Sequence, residues 1–216
     1  MKSIILIAPP SAGKGTVSKI LSDKYDIPHI STGDLLRNAS QVDDEQGNYI
    51  KKQIKIGKLV NDNIIIDLIE KRINENDCQN GYILDGFPRN ISQTKKYEEM
   101  LDENHKELGI PIFIDVPFEI GKKRVTGRLT CLKCGSVFNI YFDDMKPKVE
   151  GICNRCKSKL SKREDDTEET FNERYNTYLN ETKKVADYYK EKGLLKKVNG
   201  NQKIELVLSE IEKLIK

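Results

Sequence analysis

The sequence predicts an α/β fold, a three-layer αβα sandwich around a central parallel sheet. Three observations carry this. Short apolar runs, SIILI (3–7), GYILD (81–85) and IPIFIDV (110–116), are read as buried strands. Helical patterns lie between them, so strands and helices alternate as in a parallel sheet covered on both faces. The first run leads directly into SAGKGT (11–16), a glycine-rich turn ahead of a helix.

The elements follow in order. Residues 14–24 form a helix with Val17, Ile20 and Leu21 on one face. Another starts at 34–38, capped by Thr32 or Ser31. Residues 64–74 place Ile65, Leu68, Ile69 and Ile73 at helical spacing. Helices are predicted at 119–128 and 168–192, the second long and polar on one side. LLKKVNG (194–200) is a further strand candidate and 204–215 an amphipathic closing helix. Residues 129–166 break the rhythm with four cysteines, glycines, prolines and mixed charge. They read as an insert.

The 216 residues suffice for one compact α/β domain with insertions. A net charge of +3, from 37 basic and 34 acidic side chains, gives no case for nucleic acid. No apolar run approaches the roughly 20 residues of a membrane helix. The apolar start is too short for a signal peptide and leads into the loop. A cytoplasmic location is expected, and disulfides are not the favoured use of five cysteines there.

A glycine-rich turn between strand and helix aims backbone N–H groups into a concave nest, and the helix N-terminus adds partial positive charge. Lys14 can reach β- and γ-phosphates, and Thr16 can offer a hydroxyl near Mg²⁺. A plain strand-to-helix turn with an exposed lysine is the alternative, and Gly13-Lys14-Gly15-Thr16 directly after a buried strand speaks against it. Ala8 stands where the usual phosphate-loop pattern has glycine. If Ala8 or Ser11 needs positive φ, glycine there should leave ATP affinity equal or up to about tenfold tighter.

SAGKGT is followed in order by STGDLLR (31–37), GKLV (57–60), LDGFPRNISQ (84–93), GRLTCLKCG (127–135) and KREDDTEET (162–170). This set resembles the adenylate kinase family over essentially the whole chain, in its long zinc-containing-lid form. Gly15-Thr16 is normal for that family, whereas Ala8 and Ser11 depart from its loop. The resemblance implies a P-loop core at 1–30, 61–126 and 167–216. It also implies a nucleoside-monophosphate-binding insert at 31–60 and a lid at 127–166. It implies reversible transfer of a phosphoryl group from Mg-ATP to AMP, giving two ADP, by a monomer.

Site residues follow from the same resemblance. Ser11, Ala12, Gly13, Lys14, Gly15 and Thr16 would hold the donor's phosphates, and Val137, Phe138 and Gln202 would also contact ATP. Arg128 would flank the donor adenine, and Arg163 would reach the phosphates. Arg37 and Arg89 would hold the acceptor phosphate, with Arg124 and Arg174 between the nucleotides. Arg163 and Arg174 would also touch AMP. Thr32, Lys58, Leu59, Val60 and Gln93 would contact the acceptor base and ribose, and Gly86, Phe87 and Pro88 would line its site. Guanidinium suits this work because it is always charged and clamps oxygens with two donors. A Gln93 amide, donor beside acceptor, suits an adenine edge. Asp85, at a strand end, is expected to steer Mg²⁺ through water, though it also reads as the start of an Asp-Gly turn. His29 and His105 receive no role.

Cys131-x-x-Cys134 and Cys153-x-x-Cys156 read as a Cys₄ zinc site with Gly135 turning after the first pair. Such a zinc is structural and stiffens an insert too small to fold alone. Four unbound thiols or two disulfides are the alternative. Cys78 is expected to pack as a small hydrophobe. Two other functions compete: a nucleoside monophosphate kinase of different acceptor or GTP donor, and a zinc-ribbon nucleic-acid binder. The long insert and Gln93 oppose the first; the near-neutral charge opposes the second.

Overall fold

A computed structural model of the chain describes residues 2–215. β1 (Ile4–Ile7) leads into α1 (Lys14–Tyr25), β2 (His29–Ser31), α2 (Thr32–Ala39), α3 (Glu45–Lys55) and α4 (Asp62–Ile73). Then come β3 (Ile83–Asp85), α5 (Ile91–Glu103), β4 (Ile110–Asp115) and α6 (Phe118–Thr126). The insert holds β5 (Arg128–Cys131), β6 (Val137–Asn139) and β7 (Leu160–Ser161). α7 (Glu168–Thr177), α8 (Lys183–Glu191), β8 (Lys196–Asn199) and α9 (Ile204–Ile215) complete the chain.

Five strands form one parallel sheet in the order β2-β3-β1-β4-β8. The period of two along β1 builds both core layers. Ile5 and Ile7 join Leu84, Phe87, Tyr97 and Tyr189 on one face; Ile4 and Leu6 join Val17, Leu21, Ile112 and Ile211 on the other. Every residue of β1 is buried, as a strand covered on both faces requires. The chain crosses from β3 past β1 to β4, so the strand order switches at β1. Ligands of open α/β sheets bind beyond the carboxyl ends at such a point.

Outside the insert, two helices and one strand lie beyond the expected elements. α5 buries Gln93, Thr94, Tyr97, Met100 and Leu101; two polar members break the apolar stripe that periodicity would detect. α3 buries little beyond Gly47 and Ile50, and β2 is three residues long. Two expected boundaries are corrected. The helix predicted at 119–128 stops at Thr126 with Gly127 as its C-cap, a position where a Cβ would lie 2.5 Å from Asn139 Oδ1 and from the Tyr141 ring. Arg128 therefore begins a strand. The single helix predicted at 168–192 contains a π turn at Tyr178–Thr182. On its N-terminal side Phe171 packs against Phe118. On its C-terminal side Val185, Ala186 and Tyr189 join the cluster that includes α5. No helix among the described residues is long and apolar enough to cross a membrane.

Candidate active site

The loop after β1 closes on itself. Gly13 caps α1 at φ 91°, and Lys14 Nζ folds back to the carbonyls of Ala8 at 3.3 Å and Pro9 at 3.4 Å. Loss of bulk water lowers the Lys14 pKa from its ordinary value; nearby Asp85 raises it and Arg89 lowers it further. A Cβ built on Gly15 lies 3.6 Å from an Asp85 carboxylate oxygen, so the loop and that acid are neighbours. Gly15 and Thr16 are exposed.

Of the two departures in the loop, Ser11 meets the condition of positive φ, at 60°. Ala8 has ordinary φ and is buried beside Ala12 and Val17. A side chain in the left-handed region costs roughly 1–2 kcal/mol, and glycine's extra chain entropy returns about half of that. Ser11→Gly is therefore expected to raise unfolding free energy by up to ~1 kcal/mol and leave ATP affinity equal or tighter. Ala8→Gly is expected to cost about 1 kcal/mol, since it relieves no strain and frees the unfolded chain. Denaturant titration and calorimetric ATP titration of each variant check both, and a Ser11→Gly protein that loses ATP affinity would assign the hydroxyl a direct contact.

Ser31 and Thr32 divide two tasks at the end of β2. The Ser31 hydroxyl caps α2 by accepting from Asp34 N–H at 3.3 Å. Thr32, 2% exposed, instead donates toward the carbonyls of Gly86 at 2.9 Å and Asp85 at 3.2 Å. Gly86 has φ 81°, and a Cβ there would meet Thr32 Oγ1 at 2.9 Å, so both conformation and space demand glycine. Phe87 and Pro88 follow, buried and joined by a cis peptide. This turn delivers Arg89, whose Nε donates to the Gly86 carbonyl at 2.7 Å. Protein crowding lowers the Arg89 pKa; Asp85 opposes this, and the positive charges of Arg174 and Arg37 add to it.

The other arginines come from separate elements. Arg37 on α2 pairs with Asp34 at 2.5 Å. Arg174 on α7 pairs with Asp165 at 2.5 Å, and its stem passes 3.8 Å from a Cβ built on Gly57, just before Lys58, Leu59 and Val60. Arg128 is clamped through Nε and Nη2 by both oxygens of Asp166, which is fully buried. Arg163 is exposed; its pKa is lowered by desolvation first, then by Arg128, and also by Arg37. Arg124 on α6 donates to the carbonyls of Ala12 at 3.2 Å and Gly200 at 3.0 Å, bridging the loop to the turn that carries Gln202. Gln202 itself donates to Glu210 at 2.8 Å. Val137 is partly exposed on β6 and Phe138 beside it is buried.

Sequence reasoning missed the acids that hold these groups. Asp165 and Asp166 lay inside the quoted KREDDTEET stretch, yet nothing there marks Arg174, nine positions on, or Arg128, 38 positions back, as their partners. Asp62, which bonds Gln93, gave no signal. His29 also has a neighbour: its Nε2 lies 3.3 Å from Asp85 Oδ2.

The four insert cysteines converge. Their sulfurs all lie within 4.8 Å of one another, with Cys131–Cys156 at 3.3 Å and Cys134–Cys153 at 3.6 Å. A tetrahedral zinc with Zn–S near 2.3 Å needs sulfurs about 3.8 Å apart, so the donor set fits that ion. The two halves have matching backbones. Cys131 N–H donates to Ser136 O and Gly135 N–H to Cys131 O, both at 2.9 Å. Cys153 N–H likewise donates to Ser158 O at 2.9 Å and Lys157 N–H to Cys153 O at 3.0 Å. Gly135 and Lys157 occupy the same left-handed place, at φ 72° and 61°. The hydroxyl and N–H of Ser158 pull the Cys156 thiol down to about 6, while burial pushes Cys131 up to about 11. Leu129, Phe138 and Leu160 pack around the sulfurs and form the insert's small core. Cys78 is buried apart from this cluster and accepts from Arg72 at 3.0 Å.

A phosphate loop at the switch point of a parallel sheet, with Arg89 beside its lysine and Arg124 bonded to its backbone, defines a phosphotransferase of the P-loop class. Comparison with known proteins narrows this. The model of the family described as Adenylate kinase matches residues 6–194. The chain is 42% identical to the adenylate kinase of Thermodesulfovibrio yellowstonii over 208 residues, 96% of each chain. It is 41% identical to that of Thermotoga petrophila over 216 residues, covering 100% of this chain and 97% of the relative. With that of Archaeoglobus fulgidus the identity is 42% over 213 residues, covering 99% and 97%. The chain belongs to the adenylate kinase family, and its activity is that of an ATP:AMP phosphotransferase serving adenine nucleotide balance.

Proposed function

We propose an assignment of this chain's residues to ATP + AMP ⇌ 2 ADP. The observation that supports it most is the chain of neighbouring cations around the loop: Lys14 lies beside Arg89, Arg89 near Arg174 and Arg37, and Arg163 near Arg128 and Arg37, while Arg124 bonds the loop at the Ala12 carbonyl. Crowded cations are costly alone and are offset by a polyanion. Two nucleotides with their phosphates in line supply it.

Residues 11–16 and Lys14 hold the donor phosphates. Arg124, bridging the loop and the turn before Gln202, serves the donor-base end, with Val137 and Phe138 closing over it. This moves Arg124 from between the nucleotides, where the resemblance had it, and moves Arg128 from the adenine to the phosphates. Arg128, Arg163 and Arg174 act on the phosphoryl groups. Arg37 and Arg89 hold the AMP phosphate, while Thr32, residues 58–60, residues 86–88 and Gln93 line the acceptor nucleoside. Mg²⁺, when bound with ATP, would offset charge on the transferring group. Asp85 and Thr16 would orient it. The acceptor oxygen is already ionised, so no general base is required. Cys131, Cys134, Cys153 and Cys156 hold one structural Zn²⁺, with no open position for water. Residues 31–60 and 127–166 act as acceptor and lid subdomains on the remaining core; a closed lid excludes water that would otherwise take the phosphoryl group. The protein acts as a cytoplasmic monomer.

A coupled ADP-formation assay across donor and acceptor nucleotides tests this. ATP with AMP should be the best pair. Equal use of GMP or UMP as acceptor would overturn the acceptor assignment.

A further inference from the structure

We propose that Asp62 is a specificity-determining residue that makes the acceptor site choose adenine over guanine by locking the Gln93 side-chain amide in one orientation. The inference rests on the reading of Gln93 as the acceptor-base contact.

Gln93 is 3% exposed, and its amide is held at both ends. Its Oε1 accepts from the backbone N–H of Arg89 at 2.8 Å, and its Nε2 donates to Asp62 Oδ1 at 2.9 Å. A primary amide has two acceptor sites and two N–H groups, so one of each is left. These can meet the edge of adenine, where an amino donor stands beside a ring-nitrogen acceptor. Guanine presents the reverse order, a carbonyl acceptor beside a ring N–H donor. A freely turning amide would flip by half a turn and serve either base. Here the flip is opposed twice. It would face Nε2 against the Arg89 N–H, donor to donor, and Oε1 against the Asp62 carboxylate, acceptor to acceptor.

Asp62 is itself fixed. Asn90 Nδ2 donates to the same Oδ1 at 3.2 Å, and Asn90 Oδ1 accepts from Gln93 N–H at 2.7 Å. Burial raises the Asp62 pKa, but side-chain donors Gln93, Ser92 and Asn90 outweigh that and keep the carboxylate charged. Asp62 stands in the first turn of α4, two residues after the segment assigned to the acceptor nucleoside. A carboxylate is the side chain suited to this lock, since it accepts and cannot donate when ionised.

The experiment measures kcat/KM for AMP and GMP with saturating Mg-ATP. Hydrogen bonds to charged groups set the expected scale: Asp62→Ala should lower the AMP:GMP ratio on the order of tenfold to a hundredfold. Asp62→Asn, whose amide can turn to donate to a flipped Gln93 as well as accept, should also lower the ratio, by less than Asp62→Ala does, because Asn90 still favours the accepting orientation. On a Gln93→Ala background, Asp62→Ala should change the ratio no further. Asp62→Ser serves in place of Asp62→Ala should the latter not fold. Equal loss of both activities at an unchanged ratio would overturn the proposal and leave Asp62 a structural residue. A Gln93→Ala protein with an unchanged ratio would instead overturn the acceptor-base reading beneath it.

Discussion

Arg89→Ala is expected to lower turnover by roughly 10³–10⁵, the range that comparable arginine contacts contribute to phosphoryl transfer. The side chain is held for this role from three directions. Its Nε is committed to the Gly86 carbonyl, which orients the guanidinium. Its backbone N–H bonds to Gln93, and its carbonyl accepts from Thr182 at 3.0 Å, at the end of the π turn. Of five guanidinium donors, four stay available for phosphate oxygens. Its charge is disfavoured by its surroundings without ligand, with Arg174 and Arg37 among the causes. A phosphoryl group in transfer removes that penalty when charge develops on its oxygens. Arg89 belongs to neither hydrophobic cluster, so the fold should survive, and circular dichroism with a denaturant midpoint would establish this. Arg72→Ala is the control: Arg72 pairs with Asp77 and Cys78 instead of facing the loop, so it should lose stability and keep turnover. An Arg89→Ala protein with native fold and near-parental turnover would refute the role.

The sequence revealed strands and phosphate loop more readily than their supports, for a physical reason. β1, β3 and β4 are buried on both faces, so hydrophobicity alone announces them. α5 stayed hidden because Gln93 and Thr94 occupy its buried face, where Thr94 bonds the Asn90 carbonyl and Gln93 the site. Positions held for chemistry erase the pattern that would have disclosed the helix. The arginines were legible because each sits within or beside an ordered motif. Their partners were not: Asp166 meets Arg128 across 38 positions and Asp62 meets Gln93 across 31, separations at which no local spacing speaks. Which of Ala8 and Ser11 takes the left-handed backbone was likewise illegible, since neither residue marks positive φ as glycine does.

The insert should depend on the zinc proposed for its four cysteines more than on its core. Among the described residues only Leu129, Phe138 and Leu160 pack around the four cysteines, far too little apolar area to hold some 40 residues alone. Zinc bound by four thiolates supplies roughly 10–16 kcal/mol in small domains. Chelation is therefore expected to unfold the insert's three-stranded sheet, since Cys131 ends β5 and pairs with Leu160 of β7. If ~3 kcal/mol of that energy reaches the global transition, Tm falls by roughly 6–12 °C for a chain of this size. Cys153→Ser should reproduce most of the loss, because Cys153 is fully buried and its sulfur faces Cys134 across the two halves. Catalysis should suffer through geometry: Arg128 starts β5 and its partner Asp166 ends the insert, so a melted sheet releases the strand that aims Arg128. Turnover should then fall while the loop, built on β1 and α1, retains ATP affinity. Elemental analysis of protein purified without chelator should find about one zinc per chain. A native protein free of metal, with all four thiols titratable and Tm indifferent to chelator, would show that the insert is held by something other than a metal.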